Sequence, residues 1–339
     1  MSRLVQEPPL KSISILVPMF NEEAVLPLFY EAVDAVLTQL PGYRFEYLFV
    51  DDGSTDGSAD FVRSLAQRDP RVSLVVLSRN FGKERAMLAG LDVADTDATI
   101  VIDADLQDPP SLIPKMIELW EEGWQDVYAQ RRSRAGESWL KRSTSRWYYR
   151  VLQSVSRVSI QADTGDFRLL DRDCVMALRR YRESERNMKA LFSLVGFRKI
   201  ALPFDRDPRA AGGTKFNYWK LGNLAVDGIT SFTTLPLRLS SIIGVIVSLA
   251  AFVYLVIIVA RALIPGGESV AGYPSLMAVI LFLGGVQLLS LGVIGEYIAR
   301  IFSETKARPV YLTSEVRLGT PGHAPGRGDD VPGAAGHDG

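Results

Sequence analysis

Between residues 13 and 130 short apolar runs alternate with longer amphipathic ones. "ISILVP", "FEYLFV", "VSLVVLS", "TIVID" and "DVYAQ" have strand length and β-branched or aromatic content. The segments between them, residues 22–40, 56–67, 83–93 and 112–122, have the spacing of one-sided helices. Repeated strand–helix alternation predicts an α/β fold, a mostly parallel sheet with helices on both faces. Ligands of such sheets bind beyond the carboxyl ends of the strands. Pro18, Asp51, Asp52, Ser78, Arg79, Asp103 and Asp105 fall at such ends and are expected to share one rim.

Two later segments have a different pattern. Residues 239–260 and 269–295 carry no charge. Each is long enough to cross a hydrocarbon core of about 30 Å. The connection between them is short, which predicts a hairpin with both ends on one side. Lys215, Lys220 and Arg238 precede the hairpin, and Arg300, Lys306 and Arg308 follow it; Arg261 alone lies between. That bias predicts a multi-pass membrane protein with both termini cytoplasmic. The expected organisation is a catalytic domain over 1–212, a juxtamembrane amphipathic segment over 213–238, membrane helices over 239–263 and 272–298, and a mostly disordered cytoplasmic tail over 299–339. The first residues, "MSRLVQEPPLKS", do not read as a signal peptide.

Charge and composition narrow the chemistry. The formal net charge is −1, so nucleic acid is not an expected partner. The single cysteine, Cys174, rules out an internal disulfide and a cysteine metal cluster. The two histidines, His323 and His337, lie in the Gly- and Pro-rich tail. Histidine catalysis and histidine-held zinc are therefore excluded from the folded part. What remains is carboxylates, Lys, Arg, hydroxyls and a hard metal.

"TIVIDADLQDPP" drives an apolar strand into Asp103, Asp105 and Gln107. Alternate residues of an extended chain face one way, so these oxygens share a side. A carboxylate or two plus substrate phosphates is how Mg²⁺ or Mn²⁺ is usually held. Asp108, before two prolines, reads as a helix N-cap. "VDDGSTDGSAD" ends another strand; it fails as a calcium loop, because Arg63 stands where the loop needs Glu. Its carboxylates could instead accept from a nucleobase imide or a ribose. "SRNFGK" brings Arg79 and Lys83 to the same rim, and it is not a P-loop. Between residues 131 and 157 eight basic residues meet one acid, Glu137, with Trp139, Trp147, Tyr148 and Tyr149 interleaved. Such a stretch suits anionic headgroups or a lipid phosphate. "AGGTKFNYWKL" places Lys215 where a loop could close over a headgroup.

Taken in order, "VPMFNEE", "VDDGSTDGS", "SRNFGKERA", "DADLQDPP", "YAQRRSRAGES", "DTGDFRLLDR" and "GGTKFNYWKL" resemble the family 2 glycosyltransferases of the GT-A fold. More narrowly the chain is similar to the bactoprenol glucosyltransferases and the dolichyl-phosphate mannose synthases. The resemblance implies a GT-A, Rossmann-like sheet and a divalent metal, Mg²⁺ or Mn²⁺. It implies a sugar-nucleotide donor at Pro18, Asn21, Glu22, Asp52, Arg79, Lys83, Asp103 and Ala104. It places the metal at Asp103, Asp105 and Gln107, and the reacting groups at Asp105, Asp166 and Arg168. It places the acceptor phosphate at Arg131, Arg134 and Lys215. Thr214 and Phe216 stand where the family more often has Ser and Tyr, and Phe20 where Tyr is frequent. The implied reaction is inverting transfer of a hexose, glucose from UDP-glucose, to a polyprenyl phosphate for cell-envelope glycosylation. GDP-mannose is the alternative donor, and the resemblance leaves room for a homo-oligomer. A processive polysaccharide synthase would carry Q-x-x-R-W, but Ser143 stands where Gln belongs before Arg146 and Trp147. A membrane-anchored nucleotide sensor would need no acceptor-side arginines.

Overall fold

The run "ISILVP" lies inside strand β1 (Lys11–Met19), whose last eight residues are all buried. Burial on both faces is what a continuous apolar run at the centre of a parallel sheet should show. In this computed structural model the described residues are 10–131, 164–183, 188–204, 235–262 and 272–319. β1 pairs in parallel with β2 (Tyr43–Asp51) and β4 (Ala98–Val101), and β2 in parallel with β3 (Val72–Leu77). Helices α1 (Leu26–Leu37), α2 (Ser58–Ala66) and α3 (Lys83–Val93) make the connections, as the alternation predicts. A short 3-10 turn (Pro110–Leu112) and α4 (Ile113–Glu121) lead to β5 (Asp126–Arg131).

Three strands lie outside the simple alternation. β6 (Thr164–Asp171) is antiparallel to both β4 and β5 and sits between them. It is followed by α5 (Arg172–Leu178), capped by Asp171 accepting from the Asp173 amide, and by α6 (Met188–Leu194). β7 (Lys199–Phe204) adds in parallel to β5. β8 (Thr313–Arg317) adds antiparallel to β3, so the order is β7-β5-β6-β4-β1-β2-β3-β8. One apolar layer packs α1, α2 and α4 through Phe29, Val62 and Ile113. The opposite layer packs α3, α5 and α6 through Met87, Cys174 and Leu191. The expected sheet with helices on both faces is therefore present.

Two expectations need correction. The 299–339 stretch is not tail throughout: helix continues to Thr305, and Thr313–Arg317 completes a sheet edge, held by Arg63 to Glu315 at 2.8 Å. Residues 320–339 lie outside the described residues. Asp108 does not cap α4, which begins after the 3-10 turn with no side-chain cap. Asp108 is instead buried beside Gly165 of β6.

The chain divides into two units, one of residues 1–138, 158–212 and 308–339, the other of residues 139–157 and 213–307. The second contains α7 (Leu235–Ala262) and α8 (Tyr273–Thr305), which meet at a hydrogen bond between the Ser240 and Ser290 hydroxyls, 2.9 Å. Their large apolar side chains, Val245, Leu249, Leu288 and Leu291 among them, are exposed. Among the described residues one stretch, Phe282–Thr305, is long and apolar enough to cross a bilayer; Leu239–Tyr254 is apolar but shorter.

Candidate active site

The β2–α2 and β3–α3 loops are locked together before any side chain faces solvent. Gly53 has φ +70°, and a Cβ there would lie 2.5 Å from the Arg79 carbonyl carbon, so only glycine lets the two backbones meet. Asp52 then accepts from the amides of Phe81 (2.7 Å) and Gly82 (2.8 Å). Gly82 has φ +97°, a turn that starts α3 and presents Lys83 at its first position. Asn21, itself at φ +55°, accepts from the Thr55 amide at 2.8 Å, and Asp51 accepts from the Ser54 amide and hydroxyl. Sequence reasoning reads Asn21, Asp51 and Asp52 as candidate ligand contacts; the structure shows them shaping the rim.

At the carboxyl ends of β1, β2 and β4 this rim encloses a pocket of about 280 Å³. Of the residues expected at strand ends, Pro18, Asp52, Asp103 and Asp105 line it and Asp51 and Ser78 do not; Glu22, Lys83 and Ala104 also line it. Met19, Phe20, Asn80, Gly82 and Ala86 line it too. These were not singled out as site residues, although Phe20 and Asn80 adjoin residues that were. Gln107 is not part of the lining; its backbone N–H donates to Asp105 Oδ1 at 3.0 Å, across Leu106 at φ +54°. Arg79 also stands outside it, its guanidinium 4.1 Å from the Phe81 ring centroid.

Lys83 Nζ joins the pocket to β6. It lies 2.7 Å from the Asp103 carboxylate and 2.5 Å from Asp166 Oδ2. Asp166 Oδ1 is buried and has no hydrogen-bond partner among the described residues. Burial pushes the Asp103 carboxyl above its ordinary range; Lys83 pulls it back and Asp166 and Asp105 push it further up. Burial acts the same way on Asp166, but Lys83, aided by Lys189 and Arg168, outweighs it and holds that carboxyl low. Burial raises Glu22 and its neighbours Asp105, Asp56 and Asp103 add to that. Burial also raises Asp52, against its two amide donors.

Arg168 does not reach the pocket. Its side chain is 2% exposed, paired with Asp126 at 3.2 Å and stacked 3.5 Å from the Phe192 ring centroid. Strand alternation puts it on the face of Asp166, but one pleat deeper it meets core and not solvent. Arg131 ends β5, opposite Phe204 of β7. Arg134 and Lys215 lie outside the described residues.

Comparison with known proteins agrees with this geometry. Residues 14–181 match Glycosyl transferase family 2, and residues 235–301 match the GtrB C-terminal hairpin. The chain is a glycosyltransferase. It is 45% identical over 305 residues to a prophage bactoprenol glucosyl transferase homolog of Escherichia coli, covering 90% of this chain and 99% of that one. It is 44% identical over 309 residues to the bactoprenol glucosyl transferase of Shigella phage SfII, covering 91% and 99%. It belongs to glycosyl transferase family 2. A solved glucosyl-3-phosphoglycerate synthase from Mycobacterium tuberculosis, in complex with Mn²⁺, UDP and glucosyl-3-phosphoglycerate, is similar at TM-score 0.42 and 17% identity, over 64% of this chain and 77% of that one.

Proposed function

We propose that the protein transfers glucose from UDP-glucose to a polyprenyl phosphate, with inversion at the anomeric carbon, at the cytoplasmic face of a bacterial-type inner membrane. The lipid acceptor is supported by the relatives named bactoprenol glucosyl transferase. One observation carries the donor side: among the described residues Glu22, Asp52, Asp103 and Asp105 line the pocket against one cationic side chain, Lys83. Such a pocket repels a diphosphate unless a further cation accompanies it. Hard carboxylate oxygens suit Mg²⁺ or Mn²⁺, and the partnerless oxygen of Asp166 adds unspent acceptor capacity beside them. Asp103 and Asp105 would hold the ion. When bound, it supplies neutralisation of charge on the departing diphosphate.

The protein's own residues do the rest. Asp52 fixes the loop that presents Lys83, and the β1 end with Pro18, Asn21 and Glu22 frames the nucleotide. A bond forms from an acceptor phosphate oxygen to the anomeric carbon while the bond to the UDP oxygen breaks, and UDP leaves. In this reading Asp166 is assigned to the sugar, and Arg131 and Arg134 to the acceptor phosphate. Arg168 acts from behind, by holding β6.

The test is a donor panel with purified full-length protein and polyprenyl phosphate, the lipid product identified by mass spectrometry. A hexosyl lipid from UDP-glucose, lost in EDTA and restored by Mn²⁺, is expected. Product from GDP-mannose instead would overturn the donor assignment, and full activity in EDTA would overturn the metal.

A further inference from the structure

Lys83 occupies an unusual place for a lysine in a site that calls for added positive charge. Its backbone is fixed, because it opens α3 directly after the turn that Asp52 clamps. Its ammonium reaches two carboxylates of different strands, Asp103 after β4 and Asp166 on β6, at 2.7 and 2.5 Å. The side chain is nevertheless 41% exposed, against 29% for Asp103 and 15% for Asp166, so the link can open without disturbing the core. Asp103 is also one of the two carboxylates assigned above to the ion.

We propose that Lys83 is a built-in counter-cation that competes with the divalent ion for Asp103, so that the ion enters with the donor diphosphate and not before it. The inference rests on the metal reading of the previous section. Without donor, an ion approaching Asp103 meets a resident positive charge and must displace it. With donor, the diphosphate offers Lys83 another anion, and Asp103 is released to the ion. The two ligands then favour each other, and by linkage the coupling is the same from either side. The device offsets part of the negative charge of the acid-rich pocket when it is empty. It also keeps bare ions from filling it.

Mn²⁺ uptake by the full-length protein in detergent, read from the free-ion electron paramagnetic resonance signal with and without UDP, tests this. Wild type should bind Mn²⁺ weakly alone and much more tightly with UDP. Lys83→Met should bind Mn²⁺ alone about tenfold or more tighter than wild type, since a neighbouring opposite charge shifts a carboxylate's cation affinity by that order. The factor by which UDP tightens Mn²⁺ binding should then be smaller than in wild type. Lys83→Gln, which keeps a hydrogen-bond donor but no charge, should behave as Lys83→Met, and Lys83→Arg as wild type. Neutral variants that bind Mn²⁺ no more tightly than wild type would overturn the competition and leave the metal reading intact. Wild type that takes up no Mn²⁺ even with UDP would overturn both.

Discussion

At the scale of single residues the most consequential pair is hidden. Arg168 and Asp126 face each other at 3.2 Å with 2% and 3% of their side chains exposed. The two losses are not equivalent. Asp126→Ala leaves a guanidinium that cannot shed its proton in a buried site, and removing one partner of such a pair costs about 3–5 kcal/mol. Arg168→Met leaves a carboxyl that burial already holds above its ordinary pKa, and which can take a proton. An acid whose folded pKa is raised binds more protons folded than unfolded, so its destabilising effect fades as pH falls through that raised value. Thermal unfolding should therefore show Asp126→Ala as the more damaging change. Lowering the pH from about 8 toward the ordinary carboxylate pKa of about 4 should recover part of the loss in Arg168→Met only. Equal losses with equal pH dependence would mean the pair is not ionised in the fold. The family resemblance made Arg168 a reacting group; depth within a pleat is not written in a motif.

At the scale of elements, what could be read depended on how local the cause was. β1 to β4 announce themselves because central parallel strands are apolar on both faces. Asp103 and Asp105 follow β4 directly, so their place on the rim was legible too. β8 was not legible: "TSEVR" is polar, suited to a sheet edge, and its partner β3 lies more than two hundred residues earlier. β7 contains Pro203, which reads against a strand unless it lies at an edge, as it does. The two apolar helices belong to this scale as well. α7 and α8 meet at the Ser240–Ser290 hydrogen bond, and the basic residues Lys215, Lys220, Arg300, Lys306 and Arg308 lie outside the two apolar segments in sequence. We propose that both helices span. A topology reporter at Gly267 is expected on the extracytoplasmic side, with reporters at Ser2 and Arg317 on the cytoplasmic side. All three on one side would mean that the pair lies on the membrane without crossing it.

At the scale of the whole molecule the account turns on the acceptor. The chain has no histidine before His323. A sugar-accepting alcohol needs a general base poised near the working pH. A phosphate monoester is already ionised at neutral pH, with its second pKa near 6, and needs positioning more than deprotonation. Lys83 holds Asp166 in its low-pKa, charged form, which makes it a weak base and a good anchor. An enzyme built this way should distinguish a polyprenyl phosphate from the corresponding free polyprenol. The most direct measurement offers the purified protein both lipids at equal concentration with radiolabelled UDP-glucose and follows label into each. The account expects label in the phosphate-linked lipid and none above background in a polyprenol glucoside. Efficient glucosylation of the free alcohol would contradict it.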